Sequence, residues 1–291
     1  MAGSFLPSPP PHEPPAPARM SVAAKISTAA SGRLVATALS WCVALFLIAP
    51  IVVAAAGAFS SSEFYGHRSE GSAPPGSLGL FWYVFSVWGR SLGTSAALVA
   101  VVVPFALLIG APAAYAFRRR PFSGSKLLEA ASMTPLSMPG IALAVSLLAT
   151  LGGAPRFTLL AGGHLAYTIP LVIRAVGNAL ESFEPDIEPA ARSLGAGPWQ
   201  VARWITIPVL LPSLVVSALL VFTVSWGEFN ASFLLASPLA QSFPAALYVT
   251  YTANSFPVAA AATILFLLPV VPALVLIQAI GGEPFRRGLQ A

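Results

Sequence analysis

The feature that most constrains this chain is a series of apolar runs, each long enough to cross a lipid bilayer as a helix. A spanning helix needs about 20 predominantly apolar residues. Six runs meet this requirement: 34–59, 92–117, about 127–151, about 158–180, about 209–236 and 258–281. Only 9% of the 291 residues are charged, whereas soluble domains carry roughly 25%. The sequence therefore predicts an all-α polytopic membrane protein with six transmembrane helices.

The first residues of the chain differ from the rest. Residues 1–30 contain "PSPPPHEPPAPAR", which is rich in proline and has no apolar period. Such a composition predicts a disordered tail. Residues 31–291 carry all six apolar runs and form the predicted transmembrane domain.

Cysteine usage and charge distribution exclude several kinds of site. The single cysteine, Cys42, lies inside an apolar run, so the chain has no disulfide framework and no cysteine-based metal site. The pI of about 9.8 is compatible with nucleic-acid binding, but the basic residues are scattered between apolar runs, as membrane topology requires. We expect no bound metal and no nucleic-acid partner.

The basic residues also predict the orientation of the chain. Six spans place both termini on one side of the membrane, and twelve Lys and Arg residues fall on that side. Only Arg68, Arg90 and Arg156 fall on the other. Cytoplasmic loops carry the excess of Lys and Arg, so both termini, the tail and the connection between the fourth and fifth spans are predicted to be cytoplasmic.

That connection, residues 181–208, is charged and rich in helix-ending residues, although it lies between two apolar runs. Pro189 suits the first turn of a short helix, because its missing N–H would have no partner there. Gly195 is placed to end that helix. Gly197 and Pro198 then begin a second helix, "PWQVARWI", and Pro208 marks the start of the fifth span. The pattern predicts two short helices joined by a glycine elbow.

The stretch 189–208 resembles the "EAA" loop of binding-protein-dependent ABC importer permeases. Ala190, Ala191, Gly195, Ile205 and Pro208 are in register with that loop. The first glutamate of the loop falls on Pro189 here, and Glu188 lies one residue early.

Three other stretches extend the resemblance over spans three to six: "MTPLSMPGIALA", "GGHLAYTIPLVIRAVGNALESFEPDIEPAARSLGA" and "TVSWGEFNASFLL". They look most like the permeases of the spermidine/putrescine, iron(III), thiamine and phosphonate importers. The order of His164, Pro170 and Glu228 is nearest to the spermidine/putrescine branch.

The resemblance implies a type I ABC importer permease fold in a bacterial plasma membrane. It also implies that residues 181–208, called here the coupling segment, contact a cytoplasmic ATPase and transmit its closure to the spans. The implied contact residues are Glu188, Pro189, Ala190, Ala191, Arg192, Gly195, Ala196, Gly197, Ile205 and Pro208. Because Pro189 replaces the usual glutamate, we expect docking to rest on the alanine–glycine backbone surface.

The partners follow from the same resemblance. They are a homologous or identical second permease subunit, two ABC ATPase subunits, an extracytoplasmic substrate-binding protein and membrane lipid. The chain has no GxxxxGK[ST] phosphate-binding loop, no HExxH and no carboxylate pair within its spans. We therefore expect no catalytic residue and no cofactor in this chain, with ATP and Mg bound by the partner ATPase.

Ionisable residues inside the spans are candidates for the translocation pathway, because burying each costs roughly 3 kcal/mol. Glu228 and His164 are expected in the outer half of the membrane, where Trp226, Tyr167 and Asn230 complete a candidate pathway. An acid beside aromatic rings suits a cationic amine. The alternative is structural: Glu228 and His164 satisfy helix backbone or a partner permease without contacting substrate.

Two rival functions remain open at this point. Within the transporter class, the solute could be a sugar, sulfate or molybdate instead of a polyamine or other cation. In another class, the chain could be a non-transporting membrane scaffold or receptor.

Overall fold

In the computed structural model, residues 22–59, 78–253 and 256–288 are described, and they form twelve α-helices and one π-helical turn. Five helices are long and apolar enough to span a membrane. They are α1 (Val22–Ala58), α2 (Gly79–Arg119), α6 (Arg156–Ser182), α9 (Ile207–Gly227) and α12 (Phe256–Gly288). A bent helix pair supplies a sixth crossing if it counts as one span. The all-α prediction is confirmed.

The predicted third span is the bent pair. Its first arm comprises α3 (Ser125–Ser132) and α4 (Thr134–Ser137), and its second arm is α5 (Gly140–Leu151). The chain bends by 106° between the two arms. The break lies at Met138, whose ψ of 137° is extended. Pro139 causes it, since a proline disfavours the helical conformation of the preceding residue. The sequence therefore predicted the interruption but not the size of the bend.

Helix α2 corrects the predicted second span, which began at residue 92. The helix starts at Gly79 and runs for 41 residues, about 62 Å at 1.5 Å per residue. This is about twice the thickness of the hydrocarbon core, so α2 extends well beyond it. The earlier start was missed because Gly89 and Arg90 interrupt the apolar run, although the aromatic residues before them continue the helix.

Helix α6 is the most enclosed of the spans and organises the core. Its Val172 and Val176 are fully buried against α2 and α9, where Val102 and Val221 meet them. A second cluster joins α6 to α5 and α10 through Leu160 and its neighbours. Dispersion contacts of this kind drive helix association where lipid supplies no hydrophobic force.

The predicted fifth span, 209–236, is divided in the structure. Helix α9 ends at Gly227, and α10 (Asn230–Leu235) follows after a two-residue break. A further apolar helix, α11 (Phe243–Ala253), precedes α12 and was not predicted. With 11 residues, α11 is too short to span the hydrocarbon core.

The chain divides into two compact units at Val52. In the first unit, the side chains of α1 described from Val35 onward are mostly exposed, including Trp41 and Phe46. Residues 1–21 of the predicted tail lie outside the described residues. Helix α1 begins at Val22, so helical structure extends into the range 1–30 that the sequence assigned to the tail.

Candidate functional site

The coupling segment contains two helices on either side of Gly195, although the second is shorter than the predicted helix 198–205 and continues into the fifth span. They are α7 (Ile187–Ser193) and α8 (Pro198–Val201). The second is not a separate helix, because a π-helical turn, Ala202–Thr206, connects it directly to α9. The coupling segment is therefore continuous with a membrane-spanning helix, and π turns of this kind occur frequently at functional sites.

The elbow at Gly195 has the geometry of a Schellman motif. Gly195 has a φ of 89°, in the left-handed region that favours glycine. The N–H of Ala196 donates to the carbonyl of Ala191 at 3.1 Å, and the N–H of Gly195 donates to that of Arg192 at 2.9 Å. These two bonds define the motif, and they confirm that Gly195 ends α7.

Glu188 lies inside the protein, although the sequence placed it among the residues that contact the ATPase. It is only 4% exposed. The hydroxyl of Tyr115 on α2 donates to its Oε2 at 2.6 Å. The hydroxyl of Thr206, in the π turn, donates to its Oε1 at 2.8 Å. Arg192 Nη2 lies 3.8 Å from Oε2. One carboxylate thus connects α7 to two spans.

The other predicted contact residues lie near the surface of the same segment. Pro189, Ala190, Arg192, Gly195 and Pro208 are exposed, and Ala191, Ala196, Gly197 and Ile205 are partly exposed. The N–H of Gly197 donates to Gln200 Oε1 at 2.7 Å, which supports the start of α8.

Sequence reasoning missed three residues of this region. Leu194, at the elbow, is 90% exposed. Tyr115 and Thr206 were missed because nothing local in the sequence links them to Glu188. An apolar residue directly before a helix-ending glycine in a polar loop is the signal that identifies Leu194.

A group of arginines lies beside the coupling segment at the end of α2. Arg118 pairs with Glu129 at 2.8 Å and with Glu181 at 3.2 Å. Arg119 Nη2 donates to the carbonyl of Phe183 at 2.8 Å, and its guanidinium lies 5.1 Å from the centroid of the Phe183 ring. The residues around Glu181 are therefore held against the end of α2.

His164 lies at the junction of three helices in the other half of the bundle. It is 1% exposed. Its Nδ1 lies 2.7 Å from the hydroxyl of Ser225 on α9, and its Nε2 lies 2.9 Å from the hydroxyl of Ser232 on α10. The same Nε2 lies 3.8 Å from Glu228 Oε2. The ring of His164 is therefore held by serine side chains, and not by helix backbone or a partner permease as the structural alternative supposed.

Glu228 follows the last residue of α9 and caps the next helix. Its Oε1 accepts the N–H of Ala231, and its Oε2 accepts the N–H of Ser232, both at 2.9 Å. Capping satisfies backbone donors that have no partner within the helix. A Cβ at Gly140 would lie 2.7 Å from that of Asn230, so glycine is required for α5 to approach this turn.

Three of the five predicted pathway residues line one cleft. Tyr167, Glu228 and Asn230 share a cavity of about 560 Å³ with residues of α4 and α5. The hydroxyl of Tyr167 donates to the carbonyl of Met138 at 3.0 Å. His164 lies behind Glu228 and does not line the cleft.

Trp226 lies elsewhere. Its Nε1 donates to the carbonyl of Phe266 on α12 at 3.0 Å, and its ring stacks on those of Phe222 and Phe266. The structure therefore does not bring Trp226 to the cleft. Among the described residues, there is no group of three or more His, Cys, Asp or Glu that could hold a metal ion.

Comparison with known proteins connects both sites to one protein class. Residues 106–281, which include the cleft and the coupling segment, match the family described as "Binding-protein-dependent transport system inner membrane component". This match covers more than half of the chain.

Two curated relatives from Escherichia coli K12 are permeases. The spermidine/putrescine transport system permease protein PotC is 28% identical over 82% of this chain and 91% of its own length. The molybdenum transport system permease protein ModB is 31% identical over 54% of this chain and 76% of its own length.

Solved structures show the same fold. A bacterial ABC transporter involved in the import of the acidic polysaccharide alginate superposes with a TM-score of 0.68 at 19% identity, covering 89% of this chain and 98% of that one. The MetNI methionine ABC transporter in an inward-facing conformation gives 0.57 at 21% identity, covering 68% and 98%. These likenesses identify the type I ABC importer permease fold.

Proposed function

Because the chain belongs to the family of binding-protein-dependent transport system inner membrane components, we propose that it forms half of a translocation pathway driven by a partner ATPase. The chain is an ABC importer permease subunit of the inner membrane. The observation that carries the proposal is the bonding of Glu188 to α2 and to the π turn. It supplies a mechanical connection between a cytoplasmic contact and the spans.

The coupling segment is suited to transmit movement. Leu194 and the exposed face of α7 would contact the ATPase, while Glu188 on the opposite face is held by Tyr115 and Thr206. A displacement of α7 is therefore passed to α2 and, through the π turn, to α9. Hydrogen bonds to a charged group are among the stronger ones in proteins, which makes the connection stiff.

The partner set completes the proposed importer. A second permease subunit, homologous or identical, encloses the pathway with this chain, and two ATPase subunits bind ATP and Mg. A binding protein delivers the solute on the opposite side. Support comes from the solved alginate transporter, one structure of which contains a periplasmic protein bound to an alginate pentasaccharide.

The orientation of the chain in the membrane belongs to the same proposal. Arg118, Arg119, Arg120 and Arg192 gather at the end of the bundle that carries the coupling segment. Arg156 begins α6 at the opposite end. From the positive-inside rule we infer that the arginine-rich end and both termini face the cytoplasm.

For the solute, we infer a small polar cation, with polyamines as the best-supported class. Among the described residues that line the cleft, Glu228 carries the only carboxylate, and none is a Lys, Arg or His. The Tyr167 phenol is the other ionisable group there. An oxyanion such as molybdate or sulfate would meet a carboxylate there and no Lys or Arg. The extent of the similarity to PotC supports the same class, whereas the ModB match covers about half of this chain.

The proposal is tested by purifying the tagged chain with its cognate subunits in proteoliposomes. An ATPase that co-purifies with the wild type but not with a Gly195→Asp variant supports the importer. Absence of any ATPase partner would favour a scaffold or receptor. ATP hydrolysis stimulated by a polyamine-loaded binding protein supports the solute class, and stimulation only by a molybdate-, sulfate- or sugar-loaded protein would overturn it.

A further inference from the structure

A groove runs between α2 and the α8–α9 segment and enters the membrane-spanning part of the bundle. Its cavity has a volume of about 380 Å³. Its walls are apolar and include Ala111 and Pro112 on α2 and Leu210 and Leu214 on α9. From Arg120 to Ala111 the groove follows nine helical residues, about 14 Å. This length matches a large part of one leaflet of the hydrocarbon core.

The mouth of the groove is basic. Arg120 and Arg192 line it, together with Tyr115. An adjoining cavity of about 240 Å³ shares these three residues and adds Arg118, Arg119 and Glu188. The groove therefore joins an apolar channel at membrane depth to a polar chamber at the end of the spans.

The charges of this chamber are unevenly neutralised. Arg118 is paired with Glu129 and Glu181, and Glu188 already accepts two hydrogen bonds. Arg119 Nε is buried without a hydrogen-bond partner among the described residues.

Arg120 likewise has no ion-pair partner within the described part of the chain, where the arginine bridges are those of Arg118 and Arg192. A net positive charge therefore remains at the mouth. An anion placed there would find donors from more than one guanidinium.

We propose that this groove binds one anionic phospholipid of the cytoplasmic leaflet. Its phosphate lies among Arg119, Arg120 and Arg192, and one acyl chain follows α2 and α9 into the groove. Basic pockets between spanning helices at the cytoplasmic side are suited to anionic headgroups. The inference rests on the orientation given under the proposed function.

The structure favours a lipid over a protein at this position. An acidic loop of a soluble ATPase would satisfy the arginines but would not reach the apolar walls at Leu214. A helix of a second permease would fill the apolar groove but leave the arginines unneutralised. A phospholipid satisfies both parts with one molecule. Because Thr206 also lines the groove, the bound lipid would support the π turn that holds Glu188.

Native mass spectrometry of the assembled importer in detergent tests this proposal. We expect dioleoylphosphatidylglycerol to be retained, and dioleoylphosphatidylcholine to be lost, at one site per copy of this chain. Arg120→Gln should lower phosphatidylglycerol retention about fivefold, and Arg120→Lys should preserve most of it. Arg156→Gln is the matched control, because it removes one exposed arginine at the opposite end of the bundle.

A second variant tests the apolar part of the groove. Ala111→Phe should reduce retention without changing any charge. Three outcomes would overturn the proposal. Phosphatidylcholine could be retained as well as phosphatidylglycerol, Arg156→Gln could lower retention as much as Arg120→Gln, or excess inorganic phosphate could displace the lipid. The proposal would also be overturned if Ala111→Phe separated the permease pair, because the groove would then be a subunit interface. Retention is read from mass and not from transport, so its outcome is independent of the proposed transport function.

Discussion

The hydroxyl of Tyr115 lies 2.6 Å from a carboxylate oxygen of Glu188, although the two residues are 73 positions apart in the chain. Tyr115 belongs to a spanning helix and Glu188 to the short helix of the coupling segment. Their bond, with that of Thr206, fastens the segment to the spans.

Removing the Tyr115 hydroxyl should loosen the connection without disturbing the docking surface. A hydrogen bond to a charged group contributes about 1.5–3 kcal/mol. We therefore expect Tyr115→Phe to lower the amount of solute imported per ATP hydrolysed in proteoliposomes, while the ATPase still co-purifies. Tyr251→Phe is the control, since Tyr251 is 71% exposed. An unchanged import ratio in Tyr115→Phe would show that this bond does not transmit movement.

The elbow requires a residue that tolerates the left-handed conformation. A non-glycine residue there costs about 1–2 kcal/mol, so Gly195→Ala should weaken ATPase co-purification. Asn, which also occurs at this helix-end position, should weaken it less. The control is Gly93→Ala, because Gly93 lies within α2 with no atom within 4 Å of an added Cβ. Equal effects of Gly195→Ala and Gly93→Ala would contradict the role of the elbow.

Leu194 should be a main apolar contact for the ATPase. A central contact residue typically contributes about 2 kcal/mol or more, so Leu194→Ser should weaken ATPase affinity by more than about tenfold. The thermal stability of the permease itself should hardly change, since the side chain is 90% exposed. Leu239→Ser, at a leucine that is 76% exposed, provides the control. Affinity is measured by titrating the ATPase onto proteoliposomes that contain each variant. An equal loss of affinity in Leu194→Ser and Leu239→Ser would contradict the assignment of Leu194.

His164 and Glu228 should behave differently, because only Glu228 lines the cleft. His164→Ala leaves the hydroxyls of Ser225 and Ser232 without their buried partner, at a cost of about 1–3 kcal/mol. We expect it to lower the melting temperature of the assembled complex. Glu228→Gln should instead change solute-stimulated ATP hydrolysis, because it removes the only carboxylate at the described cleft surface.

The same two variants test whether Glu228 and His164 act in the translocation pathway at all. If both Glu228→Gln and His164→Ala leave transport and solute-stimulated ATP hydrolysis unchanged, neither residue acts in translocation. If Glu228→Gln changes only the melting temperature, its capping bonds to Ala231 and Ser232 account for its presence in the membrane.

Local signals in the sequence predicted the parts of the structure that depend on backbone chemistry. Gly195 ends a helix because of its conformational freedom, and Pro198 begins one because it lacks an N–H. Pro139 likewise marked the break of the third span, but a proline does not determine how far the two arms turn. That bend depends on packing against α6 and α10, which the sequence does not display.

The features that escaped sequence analysis depend on tertiary contacts or on several weak local signals together. The burial of Glu188 depends on Tyr115 and Thr206, which lie 73 and 18 positions away. The division of the fifth span had a local signal, because Gly227 followed by an acid and Asn230 is typical of a helix end and a new start. The apolar character of the run on both sides concealed it.

In the proposed mechanism, Glu188 couples the segment to the spans, whereas the surface around Gly195 and Leu194 binds the ATPase. The most direct measurement compares Glu188→Ala with Gly195→Asp in proteoliposomes, recording ATPase co-purification and solute imported per ATP hydrolysed. We predict that Gly195→Asp loses the ATPase, and that Glu188→Ala retains most of it but imports less solute per ATP. Loss of the ATPase in Glu188→Ala as complete as in Gly195→Asp would contradict this account.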